Sequence, residues 1–214
     1  MNGILNSWLD FLTQLNLRET VETLLDQVYR EENVLPPRAE VLSLFKLINP
    51  QDVRVVIIGQ DPYHTPGVAN GIAFATKNSK TPPSLKNIFK ELQNDLGIVR
   101  TDNDLSDWVR QGVLLINSVF TVRAGEPNSH QHVGWQAIVQ KILSGLNKMN
   151  SEIIYCLWGN NAKYLYNNLE VRNRNCIISA HPSPFSYARG FAGSTPFSKI
   201  NKLLRMIGGQ EIKW

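Results

Sequence analysis

Val53-Arg54-Val55-Val56-Ile57-Ile58-Gly59-Gln60-Asp61-Pro62-Tyr63-His64 is the stretch on which the fold turns. Apart from Arg54, its first half is apolar and β-branched, the composition of a buried strand. Gly59 and Pro62 force a turn where that strand ends. The turn displays an amide, a carboxylate, a phenol and an imidazole within five residues, Gln60 to His64. In an open α/β sheet, ligands bind at the carboxyl ends of the strands.

Working outward, three further apolar runs read as strands: Val113–Ile116, Ile153–Leu157 and Cys176–Ser179. Helical spacing separates them. Leu85, Ile88, Phe89 and Leu92 follow Pro82-Pro83-Ser84, with Ser84 as the expected N-cap. A short helix over Leu105–Gln111 stops at Gly112. Trp135, Ile138, Val139, Ile142, Leu143 and Leu146 form another helical face, Asn160–Leu169 another, and Phe197, Ile200, Leu203 and Leu204 the last. Before the first strand, the spacing predicts two helices, over Trp8–Leu17 and Val21–Tyr29, and a third around Val41–Leu47. Strands alternating with helices predict an α/β fold: a single domain over 1–214 with a central four-stranded parallel sheet and helices on both faces.

Composition narrows the class. The chain has 214 residues, 43% hydrophobic and 19% charged, with a net charge of +4. That balance permits a polyanionic partner without requiring one. Cys156 and Cys176 lie inside apolar runs and read as free buried thiols, and two cysteines cannot supply a four-cysteine cluster. Neither a metal nor a cofactor is expected. Met1–Trp8 lacks the basic region and apolar core of a signal peptide. No apolar run reaches membrane-spanning length. The expectation is a cytoplasmic monomer with no membrane contact.

The strand ends share a property. The first gives Gln60 and Asp61, the second Asn117, the third Gly159 and Asn160, the fourth His181. Parallel strands would gather all of them on one edge. Each has an ordinary structural role open to it: Asp61 can cap its own turn, Asn117 can cap a helix, and His181 can be a satisfied turn residue. Together they mark a candidate site.

Five segments carry a family resemblance: Gly59–His64, Gly71-Ile72-Ala73-Phe74, Pro82-Pro83-Ser84-Leu85, Gly112–Asn117, and His181-Pro182-Ser183-Pro184-Phe185-Ser186 followed by Arg189-Gly190-Phe191. In this order and spacing the chain resembles the family-1 uracil-DNA glycosylases. The resemblance implies hydrolysis of the deoxyuridine N-glycosidic bond, without cofactor, as the first step of base-excision repair. It makes Asp61 the carboxylate beside the sugar and His181 the donor to uracil O2. Asn117 reads uracil O4 and N3–H, Phe74 stacks on the base, Tyr63 fills the space of a thymine methyl, and Gln60 lines the pocket. His64, Ser84, Ser183 and Ser186 lie along the DNA backbone, and Phe185 wedges into the vacated stack. The implied partners are uracil-containing single- and double-stranded DNA, and a DNA-mimicking protein inhibitor of the kind that blocks some family members.

The chain also departs from the family pattern. Phe185 stands where leucine is usual, and Asn70 where histidine is common. Ala192 replaces a second aromatic after Phe191, and Thr195-Pro196 a basic-aromatic stretch. Two other readings of the same residues stay open at this level. One is a metal-dependent hydrolase using Asp61, His64 and His181, although no His-Glu-x-x-His is present. The other is an inactive DNA-binding protein that keeps the fold.

Overall fold

The computed structural model describes Met1 and residues 3–214. Helices α1 (Asn6–Gln14) and α2 (Arg18–Val28) are followed by a two-residue strand, β1 (Val34–Leu35). Then come β2 (Val55–Gly59), α3 (Pro83–Leu96), α4 (Ser106–Arg110), β3 (Val113–Asn117) and β4 (Val122–Arg123). The chain continues through α5 (Trp135–Met149), β5 (Ile154–Trp158), α6 (Asn160–Asn167), β6 (Cys176–Ser179) and α7 (Pro196–Met206).

The main sheet has the order β3-β2-β5-β6, and its strands are parallel. Every residue of β2 and β5 is buried. Successive side chains of a strand point to opposite faces, so burial of all of them means that both faces are covered. From β2 the chain moves to β3 on one side, then crosses back to β5 and β6 on the other. The order therefore reverses between β2 and β5, and a crevice at the strands' carboxyl edge follows from that reversal.

The expected elements are present with shifted ends. The first strand runs Val55–Gly59, not Val53–Ile58. Val53 instead closes a 3-10 turn, its N–H donating to Pro50 O at 3.3 Å. The next two strands run one residue further, to Asn117 and Trp158, and β5 starts at Ile154. The helix expected at Val41–Leu47 is only a 3-10 turn, Ser43–Lys46, held by bonds from Phe45 N to Leu42 O and Leu47 N to Leu44 O. Ser84 is not an N-cap. Pro83 occupies the first helical position, where its missing N–H costs nothing, and extended Pro82 is the cap. Ser84 thus sits in the first turn with its hydroxyl uncommitted to capping. The small β1–β4 antiparallel pair was not expected.

Candidate active site

The carboxyl edge of the sheet gathers the expected groups around a cleft of about 170 Å³, lined by Gln60, Asp61, Tyr63, His64, Phe74, Ser84, Asn117 and His181 among others. This is below the roughly 300–1,000 Å³ of pockets for drug-sized ligands, and suits a single small ring.

Asn117 ends β3 directly opposite Gly59 at the end of β2. A Cβ on Gly59 would lie 2.1 Å from Asn117 Oδ1. Glycine is required here for close approach, since only an absent side chain lets the carboxamide cross the strand end. The two chains stay joined beyond the ladder: Ser118 N donates to Gly59 O at 2.9 Å, Val119 N to Gln60 O at 3.0 Å, and Ser118 Oγ to Gln60 O at 2.7 Å. These bonds fix the backbone that follows Asn117.

Asp61 is positioned from outside its own turn. Asn128 N donates to Asp61 Oδ2 at 2.8 Å, and Gln60 Nε2 donates to Asn128 Oδ1. The Asn128 turn is itself docked, since Gly125 N donates to His64 O at 2.8 Å. Burial pushes the Asp61 carboxyl above its ordinary range, while the Asn128 N–H and the nearby His64 act in the opposite direction. The carboxylate is thus held by few donors in a poorly solvated place.

His181 follows β6. Ser183 N donates to His181 Nδ1 at 3.0 Å. A nitrogen that accepts from an N–H carries no proton, so the neutral ring has its hydrogen on Nε2. Burial lowers the His181 pKa, which favours that neutral form. Gly159 makes room beside it: its φ is +88°, and a Cβ there would meet His181 Cβ at 2.9 Å.

Phe74 and Tyr63 form the pocket wall. Phe74 has φ of +66°, uncommon for a bulky residue and an indication of a functional constraint. Its ring lies 5.4 Å from Trp158 and 5.9 Å from His181, centroid to centroid. The Tyr63 hydroxyl donates to Phe74 O at 2.8 Å, and burial raises its pKa, so it stays a phenol. Gly71 lets this segment pass close to the N-terminal region, since a Cβ there would lie 1.9 Å from Glu40 O. Asn70 is buried, and its Oδ1 accepts from Ile72 N at 3.2 Å, so it serves the local turn.

The remaining expected residues lie at the mouth. Ser84 lines the cleft from the first turn of α3. The Ser186 hydroxyl donates to His181 O at 2.8 Å, and the Ser183 and Ser186 hydroxyls are 2.8 Å apart. Both serines therefore brace the loop that carries His181. Phe185, at the tip of that loop, is 88% exposed, so its ring does not pack within its own loop. Sequence reasoning missed Asn128. Its signals were the turn composition of Gly125-Glu126-Pro127-Asn128 and a tolerance for positive φ, here +65°. Asp61, His64 and His181 do not assemble a metal-holding cluster: among the described residues no such group of three or more His, Cys, Asp or Glu occurs. No helix among the described residues is long and apolar enough to cross a membrane.

Comparison with known proteins identifies the family and the fold. A family model described as the uracil DNA glycosylase superfamily matches residues 45–205. A uracil-DNA glycosylase of Fusobacterium nucleatum subsp. nucleatum is 40% identical, over 100% of this chain and 97% of its own. The crystal structure of mimivirus uracil-DNA glycosylase superposes with a TM-score of 0.88 at 24% identity, covering 98% of this chain and 86% of that one, and so shares the fold. A mimivirus UNG variant in complex with UGI gives a TM-score of 0.86 at 25% identity, over 97% of this chain and 87% of that one. With a matching family model over most of its length and a relative of this similarity over all of it, the chain belongs to the uracil-DNA glycosylase superfamily.

Proposed function

We propose that the cleft releases uracil from DNA by dividing two developing charges between Asp61 and His181. The chain is an enzyme that removes uracil from DNA in base-excision repair. In this reading the N-glycosidic bond breaks with its electron pair going to uracil. The sugar becomes cation-like and the base becomes an anion. Asp61, ionised, stabilises the sugar cation and orients the water that adds to it. His181 donates its Nε2 hydrogen toward uracil O2 as charge builds there. Water adds to the sugar carbon and passes a proton to Asp61, from which it is lost to solvent; the uracil anion takes up a proton from solvent, and the products are free uracil and an abasic site.

The observation that carries this reading is the Ser183 N–H on His181 Nδ1. It leaves the imidazole a neutral donor aimed by its own loop, with the Asp61 carboxylate lining the same cleft. The Asn117 carboxamide offers an acceptor and a donor together, the complement of uracil N3–H and O4 and the reverse of what cytosine presents. Phe74 stacks on the ring, and Tyr63 occupies the volume that a C5 methyl would need.

A base inside a duplex cannot enter so narrow a cleft, so the nucleotide rotates out of the stack. Phe185, exposed at its loop tip, fills the gap left behind. Ser84 offers its hydroxyl to a backbone phosphate, Ser183 and Ser186 hold the shape of the loop that meets the strand, and His64 lies beside Asp61 near the water and phosphate. The chain acts as a single domain, a reading supported by one buried cluster that runs from Ile4 to Trp214. A DNA-mimicking protein is a second partner for the same face. The mimivirus UNG complex with UGI supports it. The test is uracil release from single- and double-stranded DNA by the purified chain, with and without chelator. No release from either substrate would end the proposal.

A further inference from the structure

Beside the cleft, an open groove of about 890 Å³ runs between the exposed side of α3 and the segment around Val99 and Thr101. Lys80, Lys86 and Lys90 line it. All three are exposed, and none takes part in an ion pair among the described residues. Arg100 also lines the groove, but Asp107 holds its guanidinium at 2.6 Å, so it contributes less free charge. No carboxylate lines the groove. Lys86 and Lys90 sit one turn apart on α3, where like charges repel, and with Lys80 they form a set of unneutralised cations with no acid between them that needs a reason.

The groove and the cleft share α3 and are linked through the loop after β6. Ser84, in the first turn of α3, lines the cleft itself. Asn87, on the same helix, donates from Nδ2 to Pro182 O at 2.8 Å and so ties the groove wall to the loop that carries His181 and Phe185. Lys90 Nζ lies 5.1 Å from the centre of the Tyr187 ring, at the far end of that loop. Lys86 and Lys90 are one helical turn apart, about 6 Å along the axis, which spans roughly two nucleotides at about 3.4 Å per nucleotide of one strand. Phe89 lines the groove as well. Cations tracking a backbone above an apolar wall is the arrangement that single strands use.

We infer that this groove is a track for the DNA strand on one flank of the target nucleotide, with Lys80, Lys86 and Lys90 on its phosphates. The inference rests on the proposed reading of the cleft and adds a binding surface outside it. Its occupant is DNA, not an acidic protein, because α3 carries both Ser84 of the cleft and the groove's Lys86 and Lys90, with Lys80 just before the helix.

The test uses the full chain with Lys80, Lys86 and Lys90 each changed to Gln, which keeps the aliphatic stems. A control carries the same charge loss at Lys141, Lys148 and Lys202, exposed on α5 and α7. Uracil release and binding are measured on a minimal strand confined to the cleft, and on strands of roughly 20 nucleotides extended only 5′ or only 3′, longer than the ~4–16 nucleotide footprint of a single-strand binding fold. The expected result is normal release from the minimal strand and weaker binding of one extended strand. For that strand the salt dependence should flatten by about 0.7 in the log–log slope per lost phosphate contact. The control should leave both extended strands unchanged. Equal weakening of both extensions, equal weakening by the control, or an unchanged salt slope would overturn the track. Failure of the unaltered chain to release uracil from the minimal strand would instead overturn the reading of the cleft.

Discussion

Asp61 is costly to keep ionised where it stands, and that cost is a testable property of one residue. Burial raises its pKa in the fold, so its contribution to stability is fully present below the unfolded pKa, roughly 3.9, and is lost as pH rises through the folded value. Asp61→Asn removes that loss and still offers Asn128 N an acceptor. The variant should melt higher than the parent at pH 7, with the gap closing toward pH 4, in scans across that range. Its uracil release should fall on the order of 100-fold or more, with DNA binding largely kept. At Asn117, exchange for Asp should lower uracil release and admit cytosine, since a protonated carboxyl donates to cytosine N3 and accepts from its amine. A mixed-substrate release assay reads both. Tyr63→Ala should release thymine weakly, because the ring excludes the methyl by volume. Asp61, Asn117 and His181 were legible in the sequence because each follows a recognisable strand inside a specific motif. Asn128 was not: a lone Asn in a turn has no periodicity, and its partner Asp61 is far away in the chain.

Among the elements, the strands and helices that apolar spacing marks were legible, and their ends were not. Ends are decided by single hydrogen bonds, such as Val53 N to Pro50 O, that no composition announces. The β1–β4 pair has only two residues per strand, too few for an alternating pattern. Ser84 looked like a cap because Ser commonly is one, but Pro83 already fills the first helical position. Two elements make predictions of their own. At the end of β2, Gly59→Ala places a methyl where Asn117 Oδ1 now lies. Gly59 does not carry a positive φ, so the backbone tolerates the change and the Asn117 side chain moves instead. The expected outcome is at least about a tenfold loss in kcat/KM for uracil, with about 1–3 kcal/mol of overpacking read from melting. In the loop after β6, Phe185→Ala should slow release from duplex more than from single strands, where little stacking opposes extrusion. Phe185→Leu should stay near the parent. Equal losses on both substrates, in single-turnover rates, would remove the wedge.

At the scale of the molecule, Trp214 packs into the core. Trp214 packs edge-on to Trp108 at 5.1 Å and to Phe197 at 5.0 Å, and Asn201 brackets Ile212 with bonds of 2.9 and 3.0 Å. Trp214→Ala should cost about 3–5 kcal/mol in denaturant unfolding, with the site chemistry unchanged in the folded fraction. The order β3-β2-β5-β6 also bears on how the catalyst comes into being. Val55 pairs with Ile154, and the cleft draws on residues after β2, at the end of β3 and after β6 at once. Contacts this distant form late, because the chain loses loop entropy before they return any stabilisation. In a refolding experiment, helical signal should therefore recover before uracil release does, and release should return in the slowest phase. A newly made chain is then expected to gain helical structure before it gains repair activity.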